Sequence, residues 1–300
     1  MKKHKLNKRA TRRTGMGYRR KLRGILASGC WLVCFALHAQ DHLMLRDTIV
    51  DPEYYRQRGD SFSVNQLGFS YSLLRDRALS PLRYEGGGLG WVRNRYRFKP
   101  QAMIRQQLAV SSLVLANEQT ERVLGQISLE YSWARHAPIE LRYDKLKLYV
   151  GGFAGGLVNV KTLAENTNNT FSYELAVLLG PSAVGQVPIR ILGWDMVLTN
   201  ELHFPLLSLL ANTPYAWPTP TVFEEGGRLG DALTVGSWGT FFRATNQVSL
   251  DFHYAKRRQG RTVRKIPYRL AYRWEFVSVA DANLYQAGVH TFSIARIVAK

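Results

Sequence analysis

The sequence predicts an all-β chain that closes into an antiparallel transmembrane β-barrel of about twelve strands, with ten as the alternative count. Three observations predict this fold class: an amino-terminal export signal, long stretches in which apolar and polar residues alternate, and the lack of a convincing amphipathic helix. A chain that is exported and rich in strands, without an apolar helical span, reaches a stable membrane structure by closing its sheet.

The amino terminus has the pattern of a secretory signal. Eleven Lys and Arg residues and no acid lie within residues 2–23, and an apolar run follows over residues 25–39. This run has the length of a signal-peptide core and is shorter than the roughly 20 residues with which a helix spans lipid. We therefore expect a cleaved signal peptide over residues 1–39, with the cut near Ala39 and a mature chain that begins at Gln40.

Removal of this segment changes the composition of the chain. Both cysteines, Cys30 and Cys34, lie within it, so we expect the mature chain to have neither a disulfide nor a thiolate metal site. The formal net charge falls from +19 to +8, from 30 basic and 22 acidic residues. The start of translation stays open between Met1 and Met16, because a start at Met16 would shorten an unusually long basic region.

Period-two alternation is strongest over residues 125–133, 247–254 and 268–276. In each segment apolar or aromatic residues occupy every second position and polar residues occupy the positions between them. This pattern is typical of a strand with two unlike faces. Weaker alternation extends the set of expected strands to Ser61–Leu74, Tyr84–Phe98, Ala102–Ala116, Arg122–Arg135, Ile139–Thr162 as one strand or two, Thr170–Leu179, Ile189–Phe204, Ser237–Asn246, Gln247–Lys256, Lys265–Val277 and Gln286–Val298.

Alternation is common to a membrane barrel and a soluble β-sandwich, so other features must distinguish them. The segments approach the 9–11 residues with which a tilted strand crosses lipid, and Tyr, Trp and Phe lie near their ends, as in interfacial girdles. Their polar faces carry charges that suit a wet or ion-paired lumen. The residues that we expect to face this lumen are Glu130, Glu174, Glu201, His203, Asp251, His253, Arg269, Arg273 and Glu275.

These features together predict a protein of the cell outer membrane. After the signal peptide we expect an amino-terminal periplasmic segment over residues 40–60 and the barrel domain over residues 61–300. The expected partners are outer-membrane lipid and the barrel insertion machinery. This machinery often recognises an aromatic residue at the end of the last strand, whereas the last residue here is Lys300.

Two passages resemble an uncharacterised family of outer-membrane β-barrels from Bacteroidetes, a domain of unknown function. The first is Leu79-Ser80-Pro81-Leu82-Arg83-Tyr84-Glu85-Gly86, which opens a glycine-rich strand. The second comprises Phe204-Pro205-Leu206-Leu207, Asn212-Thr213-Pro214-Tyr215 and Phe223-Glu224. The resemblance extends over most of the mature chain and implies the barrel fold and the outer-membrane location, but no activity.

The best candidate for chemistry is the set Ser249, Asp251 and His253, which has the residue types of an acyl-transfer triad. Neighbours at i and i+2 on one strand face lie roughly 6–7 Å apart, beyond the contact distance for proton transfer. Three polar residues on a lumen-facing strand are therefore the favoured interpretation. Glu201 and His203 also share a face, but two such residues without a third ligand do not define a metal site.

We therefore predict a non-enzymatic structural or interaction protein, or a narrow pore, with no cofactor and no metal. One alternative is a lipid-modifying acyl hydrolase that uses Ser249, Asp251 and His253. Another is a soluble periplasmic β-sandwich or ligand-binding barrel. We expect no nucleic-acid partner, because the basic residues of the mature chain are dispersed and no recognition motif accompanies them. The protein partner or ligand stays undetermined.

Overall fold

The computed structural model describes residues 61–77, 80–99, 101–141, 146–163, 171–192, 194–212, 234–237, 240–258, 261–279 and 285–299. Within the strands it leaves the side chains of residues 81, 195, 212, 253–258, 261–266 and 299 undescribed. The expected signal peptide, its cleavage site near Ala39 and Gln40, and the segment over residues 40–60 lie outside the described residues. In the described part of the chain, no helix is both long enough and apolar enough to cross a membrane.

Twelve strands account for nearly all of the described residues. They are β1 (Ser61–Asp76), β2 (Ser80–Lys99), β3 (Ala102–Ala116), β4 (Val123–Ile139), β5 (Lys147–Leu163), β6 (Phe171–Ile191), β7 (Trp194–His203), β8 (Leu207–Asn212), β9 (Thr234–Gly236), β10 (Phe241–Arg258), β11 (Arg261–Val279) and β12 (Tyr285–Ala299). The expected pair of strands on either side of Gln247 is wrong, because β10 runs through this position without interruption.

Ten of the strands close into a ring with the order β1, β2, β3, β4, β5, β6, β7, β10, β11 and β12. All neighbours in the ring pair antiparallel, and the pairing of β12 with β1 completes it. Closure gives every strand of the ring two partners, which removes the exposed edges of an open sheet. The expected fold class, an antiparallel β-barrel, is confirmed, and the smaller of the two expected strand counts describes the ring.

The two strands outside the ring, β8 and β9, prolong β7 and β10. β7 and β8 pair with the same side of β6, and their registers differ by one residue on either side of Pro205. Proline has no backbone N–H, so it is accommodated at a bulge of this kind. Around it, the N–H groups of Phe204 and Leu206 donate to the carbonyls of Pro181 and Leu179, at 3.1 and 2.8 Å.

The connections differ in length at the two ends of the barrel. At one end, here called the turn end, residues 100–101, 140–146, 192–193 and 259–260 join the strands; at the other, the loop end, residues 77–79, 117–122, 164–170, 213–233 and 280–284 join them. Outer-membrane barrels have short periplasmic turns and longer extracellular loops, and the two ends of this barrel differ in the same way.

The two faces of the sheet are inverted relative to a soluble protein. Large apolar side chains alternate along the outer face and are exposed, for example Leu67, Phe69, Leu129 and Phe292. The intervening side chains point into the lumen, where many are polar and buried. The single closed ring excludes the β-sandwich, one form of the soluble alternative, whereas its other form, a ligand-binding barrel, stays a prediction. The apolar outer face and polar interior are those of a transmembrane β-barrel.

Glycine allows close packing on the second strand. A Cβ atom at Gly88 would overlap the backbone of β3 at Ser112 and Leu113, and a Cβ atom at Gly87 would meet the ring of Phe69 from the neighbouring strand. Strands of a small barrel coil strongly, and glycines that lack this atom permit such a bend.

Candidate functional site

The lumen is the candidate functional site, and apolar side chains fill both of its ends. At the turn end, Phe62 stacks on Tyr96 with ring centroids 4.7 Å apart, and both pack with Val64, Met103 and Ile297. At the loop end, a larger cluster forms the corresponding layer and includes Leu74, Tyr84, Leu113, Leu115, Leu124, Leu163, Phe241, Val277, Val279 and Tyr285. Polar and charged residues occupy the space between the two layers.

A buried network of charged residues lies next to the turn-end layer. Arg269 donates to both carboxylate oxygens of Asp251, at 2.6 and 2.8 Å, and to the hydroxyl of Tyr96 at 3.1 Å. The Tyr96 hydroxyl donates to Oε1 of Glu201 at 2.7 Å, and Oε2 of Glu201 forms an ion pair with Arg105 at 3.1 Å. The Tyr96 hydroxyl thus links the Arg269–Asp251 pair to the Arg105–Glu201 pair, and the formal charges of the two pairs cancel.

Two histidines and a serine extend this turn-end network. Arg105 Nη1 lies 2.5 Å from His203 Nε2, His203 Nδ1 lies 2.8 Å from Ser182 Oγ, and Ser182 Oγ lies 2.7 Å from His136 Nε2. Because arginine can only donate, His203 accepts at Nε2 and carries its proton at Nδ1. His203 Nδ1 therefore donates a hydrogen bond to Ser182 Oγ.

An ion-paired tetrad crosses the middle of the lumen. Oε2 of Glu130 lies 2.7 Å from Arg243 and 2.8 Å from Arg273, and Glu275 lies 2.9 Å from each of the same two arginines. Each arginine thus contacts both carboxylates, and the four charges cancel. Paired charges of this kind offset much of the cost of removing them from water, which an isolated charge would bear in full.

A third charged level lies within the loop-end layer. Lys161 Nζ forms a buried ion pair with Asp76 at 2.6 Å and lies 3.8 Å from the centroid of the Tyr285 ring. The ammonium is therefore held between a carboxylate and an aromatic face, and both contacts favour a cation.

The strand order makes these contacts diametric. In a ring of ten strands, a strand five places away lies directly opposite, as for β2 and β7, β4 and β11, and β5 and β12. The three pairs of opposite strands are bridged by Tyr96 to Glu201, Glu130 to Arg273, and Lys161 to Tyr285. Side chains thus meet across the full width of the lumen at three successive levels.

A small cavity lies between the central tetrad and the Lys161 level. It has a volume of about 90 Å³, enough for a few water molecules, and Gln126, Asn159 and Glu174 contribute to its wall. Glu174 is buried and accepts a hydrogen bond from Asn159 at 3.5 Å through Oε2, whereas its Oε1 has no partner among the described residues.

The structure places eight of the nine expected lumen residues in the interior and distributes them among these levels. Glu201, His203, Asp251 and Arg269 belong to the turn-end network, Glu130, Arg273 and Glu275 to the tetrad, and Glu174 to the cavity. The side chain of His253 lies outside the described residues, although its backbone pairs with Pro267. The described residues contain no group of three His, Cys, Asp or Glu side chains that could hold a metal ion.

The candidate triad is not assembled in the described residues. Asp251 is bound in two places by Arg269, and Ser249 Oγ is buried without a hydrogen-bond partner among the described groups. Ser249 and Asp251 both lie in the lumen, away from the face that meets lipid.

Several lumen residues were not singled out from the sequence. Arg105, Arg243, Lys161 and Asp76 complete the ion pairs, and each lies on the same strand face as other buried residues. Continuation of the period-two pattern to the ends of the strands would have indicated their direction, because successive side chains alternate between the faces. Their partners depend on which strands lie opposite, which the pattern does not contain.

The fold and the lumen together define an outer-membrane-type transmembrane β-barrel with a filled, ion-paired interior. No protein-family model matches the sequence, and no curated protein sequence matches it significantly. The assignment to this class depends on the strand pairing and on the two faces of the strands in this chain.

Several solved structures are similar to the chain. The translocator domain of the autotransporter NalP from Neisseria meningitidis has 9% identity and a TM-score of 0.40, with 91% of this chain and 97% of that chain covered. The β domain of the Bordetella autotransporter BrkA has 10% identity and a TM-score of 0.35, with 80% and 100% covered. A Pseudomonas aeruginosa FadL homologue has 8% identity and a TM-score of 0.30, with 80% and 90% covered.

Proposed function

We propose that this protein is a non-enzymatic barrel of the outer membrane that is closed to solutes and acts as a membrane-embedded scaffold. In this role the barrel anchors the chain in lipid and holds its loop end and its turn end at opposite faces of the membrane. The proposal includes export through the amino-terminal signal and membership of the Bacteroidetes barrel family that the sequence resembles.

The observation that carries this proposal is the contact between opposite walls of the lumen. Tyr96 to Glu201, Glu130 to Arg273, and Lys161 to Tyr285 each join diametric strands. A barrel of eight strands is just wide enough for side chains to fill it, whereas barrels of 16–18 strands leave an aqueous channel. A barrel of ten strands is close in width to the eight-stranded barrels, so its long paired side chains can fill the lumen. The apolar layers add a barrier at each end.

The geometry of the lumen argues against acyl-transfer chemistry. Arg269 donates to both carboxylate oxygens of Asp251, an arrangement unlike the carboxylate–histidine pair of a catalytic triad. Ser182 lies between His136 and His203, but among the described residues no carboxylate forms a hydrogen bond with either imidazole, and Nε2 of His203 faces Arg105 instead. Both serines are enclosed in the lumen, where a lipid acyl chain would have to displace paired charges.

Single-channel recording in planar bilayers tests this proposal. We expect the purified, refolded protein to insert without producing stable conductance steps, because no aqueous path runs past three bridged levels. Insertion is verified on the same preparation in vesicles, by a fast-migrating gel band that shifts on boiling and by protection of the strands from added protease.

Reproducible conductance steps from protein that passes both insertion checks would overturn the closed scaffold and favour a pore. The absence of conductance steps in bilayers that contain inserted protein supports the proposal.

A further inference from the structure

A group of cations lies on the outer face of the barrel at the turn end. Its members come from β2, β4 and β12 and alternate with lumen residues, so their side chains lie on the lipid side of the sheet. We call them the basic rim; they are Arg93, Arg95, Arg97, Lys99, Arg135 and Arg296.

The rim cations differ from the lumen cations in their surroundings. Arg95 is half-buried and the other five are exposed. The ion pairs among the described residues include all five lumen cations and none of the rim cations. A row of positive charges that forms no ion pair with the described carboxylates favours an anionic partner from outside the chain.

The depth of the rim follows from the aromatic residues beside it. On the outer face of β2, Trp91 directly precedes Arg93, and on β4, Trp133 directly precedes Arg135. Aromatic residues of membrane barrels lie at the boundary between hydrocarbon and headgroups. A position two residues further along a strand lies roughly 7 Å beyond them, in the headgroup layer.

The strand register sets the spacing within the rim. Arg97 and Arg135 share one row on either side of Ile104, and Arg93 and Arg296 share another on either side of Asn65. Neighbouring strands are about 4.8 Å apart, so the backbones of each pair are about 10 Å apart. This spacing suits separate anionic groups, one for each arginine, better than a single shared one.

We propose that the basic rim binds the phosphate groups of anionic phospholipids in the leaflet at the turn end. Guanidinium groups bind phosphate oxygens through two parallel hydrogen bonds, and the long side chains reach the headgroups while their stems cover apolar surface. By sequence, the β10–β11 hairpin adds six Lys and Arg residues over 256–265 at the same end. The inference depends on the proposed membrane location but not on whether the lumen is closed.

The test compares lipid retention in mixed micelles that contain equal amounts of phosphatidylglycerol and phosphatidylcholine, measured by native mass spectrometry. We expect the natural protein to retain phosphatidylglycerol preferentially. The triple variant Arg93→Gln, Arg97→Gln and Arg135→Gln should reduce this preference about fivefold or more, because each basic residue adds to the attraction of an anionic surface.

A matched control removes the same charge from the loop end, with Arg77→Gln, Arg83→Gln and Arg122→Gln, and should keep the preference. If the rim triple variant fails to fold, as judged by gel migration before boiling, Arg135→Gln alone should produce a smaller loss in the same direction. Equal retention of the two lipids by the natural protein, or an equal loss in both triple variants, would overturn the inference.

The outcomes also separate this inference from the proposed function. A conducting barrel that retains phosphatidylglycerol would overturn the closed scaffold and leave the rim intact. A barrel that does not conduct and shows no lipid preference would support the closed scaffold and overturn the proposed role of the basic rim.

Discussion

Replacing Arg243 with alanine is expected to lower the free energy of unfolding by roughly 3–5 kcal/mol, the usual cost of removing one partner from a buried ion pair. Arg243 contacts Glu130 at 2.7 Å and Glu275 at 2.9 Å, and its side chain is 3% exposed. Its loss leaves Arg273 alone between two carboxylates in the middle of the lumen. The measurement is the urea midpoint of folded barrel in detergent or vesicles, read from the band that migrates fast before boiling.

Arg83→Ala is the matched control for this change. Arg83 also pairs with a glutamate, Glu85 at 3.4 Å, but its side chain is 65% exposed. Exposed ion pairs contribute about 0–1 kcal/mol, so the control should unfold close to the natural protein. Similar small losses in both variants would contradict the tetrad as a structural element of the lumen.

Replacing Leu129 with arginine is expected to lower the free energy of unfolding by about 2–4 kcal/mol, the cost of a cation on the lipid face near the middle of the bilayer. Leu129 lies on the outer face of β4, between the exposed Ile127 and Tyr131, and pairs in register with Val110 and Val158. In a soluble protein the same change at an exposed leucine would be nearly neutral. The variant should therefore yield less folded barrel in vesicles and a lower urea midpoint.

Leu192→Arg is the matched control for the lipid face. Leu192 lies in the turn between β6 and β7 and is 95% exposed, outside the paired strands. The same substitution there should change the free energy of unfolding by no more than about 0.5 kcal/mol. A Leu129→Arg protein that folds as well as the Leu192→Arg protein would mean that this face of β4 does not contact hydrocarbon.

Period two in the sequence was sufficient for the fold class and for the faces of the strands. It separates Gln126 and Glu130 from Ile127 and Leu129 because side chains of a strand alternate between two sides. The positions at which each strand begins and ends were harder to predict from the sequence. The expected strand end at Asn246 was wrong, because this residue lies within β10 and pairs with Leu202 and Trp274 on the neighbouring strands.

The partners of the lumen charges could not be predicted from the sequence. The contact between Glu130 and Arg273 joins residues 143 positions apart, and it exists because β4 and β11 lie opposite each other in a ring of ten. In a ring of twelve, other strands would face each other. The bulge at Pro205 separates β8 and β9 from the ten strands of the ring. No periodic pattern in the sequence indicates this bulge.

Other expectations remain predictions. The signal peptide over residues 1–39, the periplasmic segment over 40–60, the choice between Met1 and Met16 and the resemblance to the Bacteroidetes family concern residues or relationships that the described strands do not test. Edman sequencing of the mature protein would locate the amino terminus near Gln40 if the expected cleavage occurs.

Heat-modifiable gel migration of the protein from isolated outer membranes tests the central claim, a closed β-barrel in that membrane, most directly. Closed barrels resist detergent at room temperature and migrate as compact species until boiling unfolds them. We predict that the protein fractionates with the outer membrane, needs detergent for extraction, and gives a fast band before boiling that becomes slower afterwards. Recovery in the soluble periplasmic fraction, with the same migration before and after boiling, would contradict the account.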